Sequence, residues 1–300
     1  MYQTKKVKKS KSKKQTNYSY LIPFNVLKTG RILAIFDSET IGQPNVKKSV
    51  QPFDSSVIFI DITKIDFTKE KITRKDILNA IVDRVSLINS TIFDNSYLRD
   101  NIFYGDKIPF YNQMLNPFNQ SKNKKYYSKQ KDLEIVKTLD KLFKKYHITT
   151  LFAFNSSFDV NALNNLYQLV NKTHKTNYKM VRFNVDIRKY IIDYYIDNEE
   201  ERQEYISFCD KHDLVVRDLN GVRGKNYQTN VESFTHFENK HTRYKEHHTG
   251  LNDAIDEALL FVQYVKKRLD KKQSTSYQLN STINIKQCFY QGGLFNLLNA

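Results

Sequence analysis

The chain has 300 residues, of which 40% are hydrophobic, and a mean hydropathy of -0.62, so one good-sized domain with a buried core is possible. No apolar run approaches the roughly 20 residues that span a bilayer, and the N-terminus lacks the apolar segment of a secretory signal. Only two cysteines, Cys209 and Cys288, are present, which argues against a disulfide framework. We therefore expect no membrane association and a cytoplasmic location. The Lys- and Asn-rich composition is typical of phage and AT-rich bacterial genes, so this would be the bacterial host cytoplasm if the protein is phage-encoded.

The charge indicates an anionic partner. The net charge is +16 and the isoelectric point is about 9.5, which favours a nucleic acid. Much of the excess lies in one run of lysines that repel one another, so residues 1–20 are predicted to be a disordered Lys-rich tail. The tail would hold a phosphate backbone without reading sequence, or else serve as a solubilising or targeting segment. The lysines are Lys5, Lys6, Lys8, Lys9, Lys11, Lys13 and Lys14.

The first half of the chain predicts two strands, a helix and an irregular insertion. Residues 32–36 form a continuous apolar run, typical of a buried strand that ends at Asp37, and residues 57–60 predict a second strand paired with it. Apolar side chains at helical spacing predict a helix over 75–88. Residues 100–128 are aromatic, Asn-rich and Lys-rich without periodicity, and they predict a long insertion.

The second half predicts strands that alternate with helices. Residues 133–146 have the pattern of an amphipathic helix, the apolar run 148–154 predicts a strand, and a helix is expected from about residue 158. Further helices are predicted after Asp186 and over 252–269, with a polar loop at 220–230. This alternation indicates an α/β fold with helices packed on a central sheet. We expect one domain over 28–270, followed by a C-terminal extension at 271–300.

Asp37 and Glu39 are the first candidate site residues. Side chains two apart on an extended chain share a face, so both carboxylates would project together at the end of the first strand. Such a pair suits a hard cation such as Mg²⁺ or Mn²⁺. Taken alone, a solvated strand end explains the pair as well, because Asp-x-Glu arises by chance about once in a chain of this length.

Two further segments carry acids at predicted helix starts. Asp159 follows the strand at 148–154, and Asp253 opens the helix at 252–269. An acid in a first helical turn is favoured by the helix dipole whatever its role, so capping is the simpler explanation for each. His248 lies five residues before Asp253, and an imidazole beside an activated water is a natural general base at physiological pH.

Together the three segments supply four carboxylates and a histidine near strand ends, where the catalytic groups of α/β folds gather. That set of groups is the one that two-metal phosphodiester hydrolysis requires. The sequence therefore predicts a site formed by Asp37, Glu39, Asp159, His248 and Asp253.

In these motifs the chain resembles the DEDDh family of 3′→5′ exonucleases, which includes polymerase proofreading exonucleases, ribonuclease T and oligoribonuclease. The matching segments are residues 35–40, residues 154–159, and residues 248–253 with the helix after them. The interval from His248 to Asp253 is that of the histidine subtype, and Thr249 stands where the tyrosine subtype has its tyrosine. The resemblance covers roughly residues 30–268 and implies a ribonuclease H-like fold, a mixed central sheet flanked by helices.

The resemblance also implies roles for the acids and the histidine. Asp37 would bridge two Mg²⁺ or Mn²⁺ ions, Glu39 and Asp253 would complete the first metal site, and Asp159 would serve the second. His248 would deprotonate the attacking water.

Three residues are expected to bind substrate. The resemblance implies that Thr40 contacts the terminal nucleotide, partly through its backbone, and that Asn155 contacts the substrate strand or supports the acids. Phe158 could stack on a base, although core packing explains it equally well.

The expected activity is removal of nucleotides from 3′ ends, most simply of single-stranded DNA in proofreading, repair or replication. Trimming of RNA 3′ ends is the close alternative. A polymerase or another replication protein would then be a partner, because the chain shows no polymerase of its own. The alternative of another class is a catalytically silent nucleic-acid-binding module, which would be expected to have lost at least one carboxylate.

Overall fold

A computed structural model describes residues 32–41, 50–102, 104–118, 124–181, 183–217, 221–240 and 244–274. The predicted tail at residues 1–20 and residues 275–300 of the predicted extension lie outside the described residues. In the described part of the chain, no helix combines the length and the hydropathy needed to cross a membrane.

Strands and helices alternate through most of the described chain. The strands are β1 (Ile32–Ile41), β2 (Gln51–Asp61), β3 (Ile81–Asn89), β4 (Tyr127–Gln130), β5 (Thr150–Ala153), β6 (Phe183–Asp186), β7 (Val215–Arg217) and β8 (Arg223–Tyr227). The α-helices are α1 (Arg74–Ala80), α2 (Ser90–Phe93), α3 (Ser96–Arg99), α4 (Ile108–Leu115), α5 (Asp132–Lys145), α6 (Ser156–His174), α7 (Ile187–Asp197), α8 (Glu199–Lys211), α9 (Val231–Asn239) and α10 (Gly250–Ser274).

The main sheet is mixed and has six strands in the order β4-β3-β2-β1-β5-β6. The first three strands form an antiparallel meander, whereas β5 and β6 run parallel to β1. Without the edge strand β4, this is the strand order and direction of the ribonuclease H-like fold, so the predicted fold is confirmed. Because β1, β5 and β6 are parallel, their carboxyl ends meet at one edge of the sheet.

Each face of the sheet carries its own hydrophobic core. Leu33 and Ile35 of β1 belong to a core shared with α7, α9 and α10, whereas Ala34 and Phe36 belong to a core shared with α5 and α6. The alternation follows from the two-residue period of a strand. Continued along β1, the same period turns Asp37 and Glu39 toward the face on which α10 packs.

The predicted helix at 75–88 is wrong in its second half. Helix α1 ends at Ala80, and residues 81–89 form β3, which pairs antiparallel with β2. The β-branched residues Ile81, Val82 and Val85 favour a strand, and the sheet supplies the partner that the sequence pattern does not reveal.

Two segments expected to be irregular contain regular structure. The predicted insertion at 100–128 includes α4, which packs against the edge strand β4. The expected loop at 220–230 instead holds β8, which pairs with β7 as a separate two-stranded sheet. Gly221 has a φ of 77° at the turn, and its carbonyl accepts a hydrogen bond from the Arg217 side chain at 3.0 Å.

The start of α10 is packed tightly on β2. A Cβ on Gly250 would lie 2.9 Å from Ser56 Oγ and 3.1 Å from Asp54 Oδ2. Both neighbours belong to the buried central strand, so they have little room to move. Gly250 therefore allows the close approach that brings the first turn of α10 against the sheet.

We expect Gly250→Ala to destabilise the protein by about 1–2 kcal/mol, because overpacking costs roughly 1–3 kcal/mol and the better helix propensity of alanine returns part of it. Urea unfolding in EDTA measures the difference. Gly105→Ala is the matched control, since a Cβ there meets nothing within 4 Å. Equal stability of the two variants would contradict the packing argument.

Candidate active site

Asp37 and Glu39 lie within β1, not beyond its end as the sequence suggested. The strand continues to Ile41 because its pairing with β2 continues, with Asp37 opposite Ser56 and Glu39 opposite Asp54. The pairing register shifts directly after Glu39. Both carboxylates therefore sit on a rigid element at the carboxyl half of a central strand.

Asp159 reaches β1 from the first turn of α6. Its Oδ1 accepts hydrogen bonds from the backbone N–H of Ser38 at 3.1 Å and from the Ser38 hydroxyl at 2.8 Å. Ser38 stands between the two acids of β1, so these bonds hold Asp159 beside them. Helix capping alone does not describe Asp159, because its carboxylate ties α6 to the central strand.

Asp253 caps its own helix and also faces the other acids. Its carboxylate accepts the N–H of Thr249 at 2.7 Å and the N–H of His247 at 3.3 Å. Ligand atoms of Glu39, His248 and Asp253 lie within 4.8 Å of one another, which makes these residues a possible metal site. The Asp253 side chain therefore caps its helix and is also a possible metal ligand.

The acids raise one another's pKa. Burial, followed by the charges of Glu257, Asp159, Glu39 and Asp253, holds the pKa of Asp37 well above its usual range. Burial is likewise the main cause that raises the pKa of Asp159 and that of Asp253 to about 7. Burial and the neighbouring acids, Asp253 first, also raise the pKa of Glu39 well above its usual range. Buried like charges are costly, so this arrangement favours a bound cation.

The described residues supply little positive charge to offset these acids. Arg74, whose charge lowers the pKa of Asp253 slightly, forms its ion pair with Asp256. Asp37 Oδ2 is shielded from solvent and has no hydrogen-bond partner among the described residues. An orphaned carboxylate oxygen among other carboxylates matches the hard oxygen ligands that Mg²⁺ and Mn²⁺ prefer. The residues present therefore fit a divalent cation.

Glu257 is a site residue that the sequence reasoning missed. It lies one helical turn after Asp253 and is only 2% exposed. Its Oε2 accepts the N–H of Phe154 at 3.2 Å, and among charged groups it raises the pKa of Asp37 most. Burial and Asp159 in turn raise the pKa of Glu257 well above its usual range. The spacing from Asp253 was a usable signal, since residues four apart share a helix face.

Two tyrosines from the predicted insertion also reach the site. The ring of Tyr104 stacks on His248, with centroids 3.8 Å apart and planes 10° apart. The hydroxyl of Tyr111 donates to Asp54 Oδ2 at 2.8 Å. His248 has a φ of 51°, an uncommon conformation for a residue with a side chain. No pattern in the sequence indicated either contact, because both depend on how the insertion folds back.

The three residues expected to bind substrate lie near the acids in the chain. Thr40 is buried on β1, directly after the register shift. Asn155 is exposed in a left-handed conformation, with a φ of 59°, at the start of α6. Phe158 is half-buried in the first turn of the same helix. Their contacts with a nucleotide stay a prediction.

No protein-family model matches the chain, and no curated protein matches its sequence. Its structure is similar to that of a full-length 3′-exonuclease, with 12% identity over 81% of this chain and 83% of the other and a TM-score of 0.43. For the zinc-bound complex of E. coli exonuclease I with single-stranded DNA, the identity is 11% over 82% of this chain and 42% of the other, with a TM-score of 0.42. For a 3′-exonuclease that recognises the 3′ end of a histone mRNA stem-loop, the identity is 11% over 80% of this chain and 82% of the other, with a TM-score of 0.39.

At such low sequence identity, these structural similarities concern the fold alone. The chain spans less than half of the exonuclease I structure. The chain's own strand order carries the assignment to the ribonuclease H-like fold, and its own side chains define the acidic site.

Without metal, we expect stability to fall as pH rises from about 6.5 to about 8.5. The folded protein keeps protons on Asp159 and Asp253 up to about pH 7, whereas an unfolded chain releases them near pH 4. Stability is therefore lost as pH rises through the folded pKa values. The pKa values of His247 and His248 are lowered, so these histidines change the free energy of unfolding mainly at pH values below this window.

The measurement is Tm in EDTA and in saturating Mn²⁺ at both pH values. Because the cation competes with protons for the same oxygens, its stabilising effect should grow with pH. A metal-free Tm that rises across the window, or a Mn²⁺ effect that does not change with pH, would contradict the prediction.

Proposed function

We propose that this protein is a metal-dependent 3′→5′ exonuclease that hydrolyses the terminal phosphodiester bond of a single strand. The observation that carries the proposal is the convergence of Asp37, Glu39, Asp159 and Asp253 around the orphaned oxygen of Asp37. Proteins rarely bury several acids together unless the acids have a function, because each buried carboxylate must be paired or neutralised. A substrate phosphate could approach such acids only with cations between them.

Asp37, Glu39, Asp159 and Asp253 would hold two Mg²⁺ or Mn²⁺ ions. When bound, the ions would supply Lewis-acid activation of water and stabilisation of the leaving oxygen. Ser38 fixes the Asp159 carboxylate, and two backbone N–H groups fix that of Asp253. Both acids are therefore held in place before a ligand arrives, so little reorganisation is needed.

His248 is proposed as the general base. Burial, with the nearby charge of Lys107, lowers the pKa of its imidazole, so the ring is neutral at physiological pH and able to accept a proton. Its ring lies against Tyr104 and within reach of Glu39 and Asp253. This position suits a group that removes a proton from a water held by the acids.

Single-stranded DNA is the proposed substrate, in proofreading, repair or replication, and the 3′ end of RNA is the alternative. The net charge of +16 supports a polyanionic substrate in either case. A polymerase or another replication protein is the proposed partner. Thr40, Asn155 and Phe158 are proposed to contact the terminal nucleotides, and the proposed exonuclease domain spans residues 28–270.

The proposal is tested with 5′-labelled single-stranded DNA and RNA in Mg²⁺. We expect a ladder that shortens from the 3′ end, and a loss of rate of roughly 100-fold or more in Asp37→Ala, because a group that organises the transition state is removed. EDTA should abolish the ladder in the wild type. The strand that is shortened at the higher rate, DNA or RNA, is the preferred substrate.

Asp83→Ala is the matched control for this assay. Asp83 is also a strand aspartate, but it bonds to Lys145 and Tyr146, away from the site acids. The Asp83→Ala variant should therefore retain wild-type activity. Binding of both nucleic acids without any cleavage in Mg²⁺ or Mn²⁺ would instead identify a silent binding module.

A second prediction concerns the stacking of Tyr104 on His248. Aromatic pairs contribute about 0.5–1.5 kcal/mol, so Tyr104→Ala should lower kcat about 2- to 10-fold. KM should change little, because the ring supports the base and does not hold the strand. Tyr104→Phe retains the stacked ring and should retain activity. A loss that appears in KM alone, or that is equal in the two variants, would contradict this role.

A further inference from the structure

A cleft of about 760 Å³ lies beside the acidic site, outside the carboxyl ends of β5 and β6. Its walls are the turn at 154–155, helices α7 and α8, and residues 226–230, which run from the end of β8 to the start of α9. The turn connects it to the site, because the Phe154 N–H bonds to Glu257 and Asp159 follows one helical turn later. A strand that leaves the acids along this edge of the sheet would enter the cleft directly.

The lining has the chemistry of a nucleotide site. Arg188 and Arg202 line the cleft, and among the described residues no acid does. Both Nε and Nη2 of Arg188 donate to Thr229 Oγ1, at 3.0 and 2.7 Å, which holds its guanidinium in place. The Nε of Arg202 is buried and has no hydrogen-bond partner among the described residues, although its terminal nitrogen pairs with Glu199. The Arg202 side chain as a whole is 42% exposed, so its guanidinium can reach a phosphate oxygen, which is a strong acceptor.

The remaining lining suits a base. Asn155 and Asn226 are exposed at the cleft and offer amide donors and acceptors for base edges. Phe154 adds an aromatic ring, and Ile196, which is 62% exposed, offers an apolar surface. Bases stack on such surfaces without strong sequence preference. Small-ligand sites have the same character, mostly apolar walls with a few placed polar groups.

A second cleft at the opposite ends of the same strands provides the contrast. Its volume is about 670 Å³, and it is lined by Asp140 as well as by Lys144 and Lys179. The acid gives this cleft a mixed charge, and it lies at the amino ends of the strands, where ligands of parallel sheets do not gather. Size alone therefore does not single out the first cleft, whereas charge and position do.

We propose that the cleft lined by Arg188 and Arg202 binds a nucleotide of the substrate strand that lies upstream of the nucleotide being removed. This inference rests on the proposed exonuclease function. The arginines hold the phosphate of that nucleotide, and the amide and apolar walls receive its base. The cleft thereby sets a minimum length of strand for tight binding.

The test compares a strand with a substrate that has no upstream nucleotide. The variant Arg188→Gln/Arg202→Gln removes the charge of both side chains and keeps a polar amide in place of each guanidinium. For a 12-nucleotide single strand, we expect KM to rise about 10-fold with little change in kcat. For the p-nitrophenyl ester of thymidine 5′-monophosphate, both constants should stay at wild-type values. Lys179→Gln, in the second cleft, should leave both substrates unaffected.

Binding measured in EDTA separates this inference from the exonuclease proposal. Fluorescence anisotropy should show about 10-fold weaker binding of the 12-nucleotide strand by the double variant and unchanged binding of thymidine 5′-monophosphate. This result would support the cleft even if the wild type cleaved nothing. Unchanged binding of the strand would overturn the inference, as would an equal loss for both substrates. Weaker binding of the free mononucleotide would assign the cleft to a free nucleotide instead and would also overturn it.

Discussion

Mutual repulsion among buried carboxylates is the constraint on which the rest of this structure depends. Asp37, Asp159, Asp253 and Glu257 come from three different elements, and burial raises the pKa of every one of them. Left alone, such a group of anions would push these elements apart. Their persistence in one place requires firm mechanical support together with neutralisation, by protons in the metal-free protein or by a bound cation.

The support comes from packing and from backbone hydrogen bonds. The two hydrophobic cores fix β1 from both faces, and Gly250 lets α10 approach the sheet closely enough to present Asp253. Ser38 and the N–H groups of Thr249 and Phe154 each hold a carboxylate in position. These donors favour the charged form of the acids, whereas burial opposes it. The site is thereby organised before any cation binds.

Much of this arrangement could be predicted from the sequence, and the remainder could not for identifiable reasons. The strand that carries Asp37 and the helix starts that carry Asp159 and Asp253 are local features, visible as apolar runs and turn chemistry. The sequence predicts a helix where β3 lies, because the pattern of β3 alone does not reveal its partner β2. Tyr104 reaches His248 through tertiary folding of a segment without periodicity, which no local pattern reports.

The chain carries a large positive charge, yet its candidate site is acidic. A polyanionic strand is repelled by uncompensated carboxylates, so attraction has to come from groups placed beyond them. Arg188 and Arg202 would meet this need along the same edge of the sheet, in the cleft proposed to bind an upstream nucleotide. The strand would then be held a short distance from the bond that is cut, and the acids would be left to bind cations. Separating the groups proposed to hold phosphate from the groups proposed to act on it would explain how one sheet edge accommodates opposite charges.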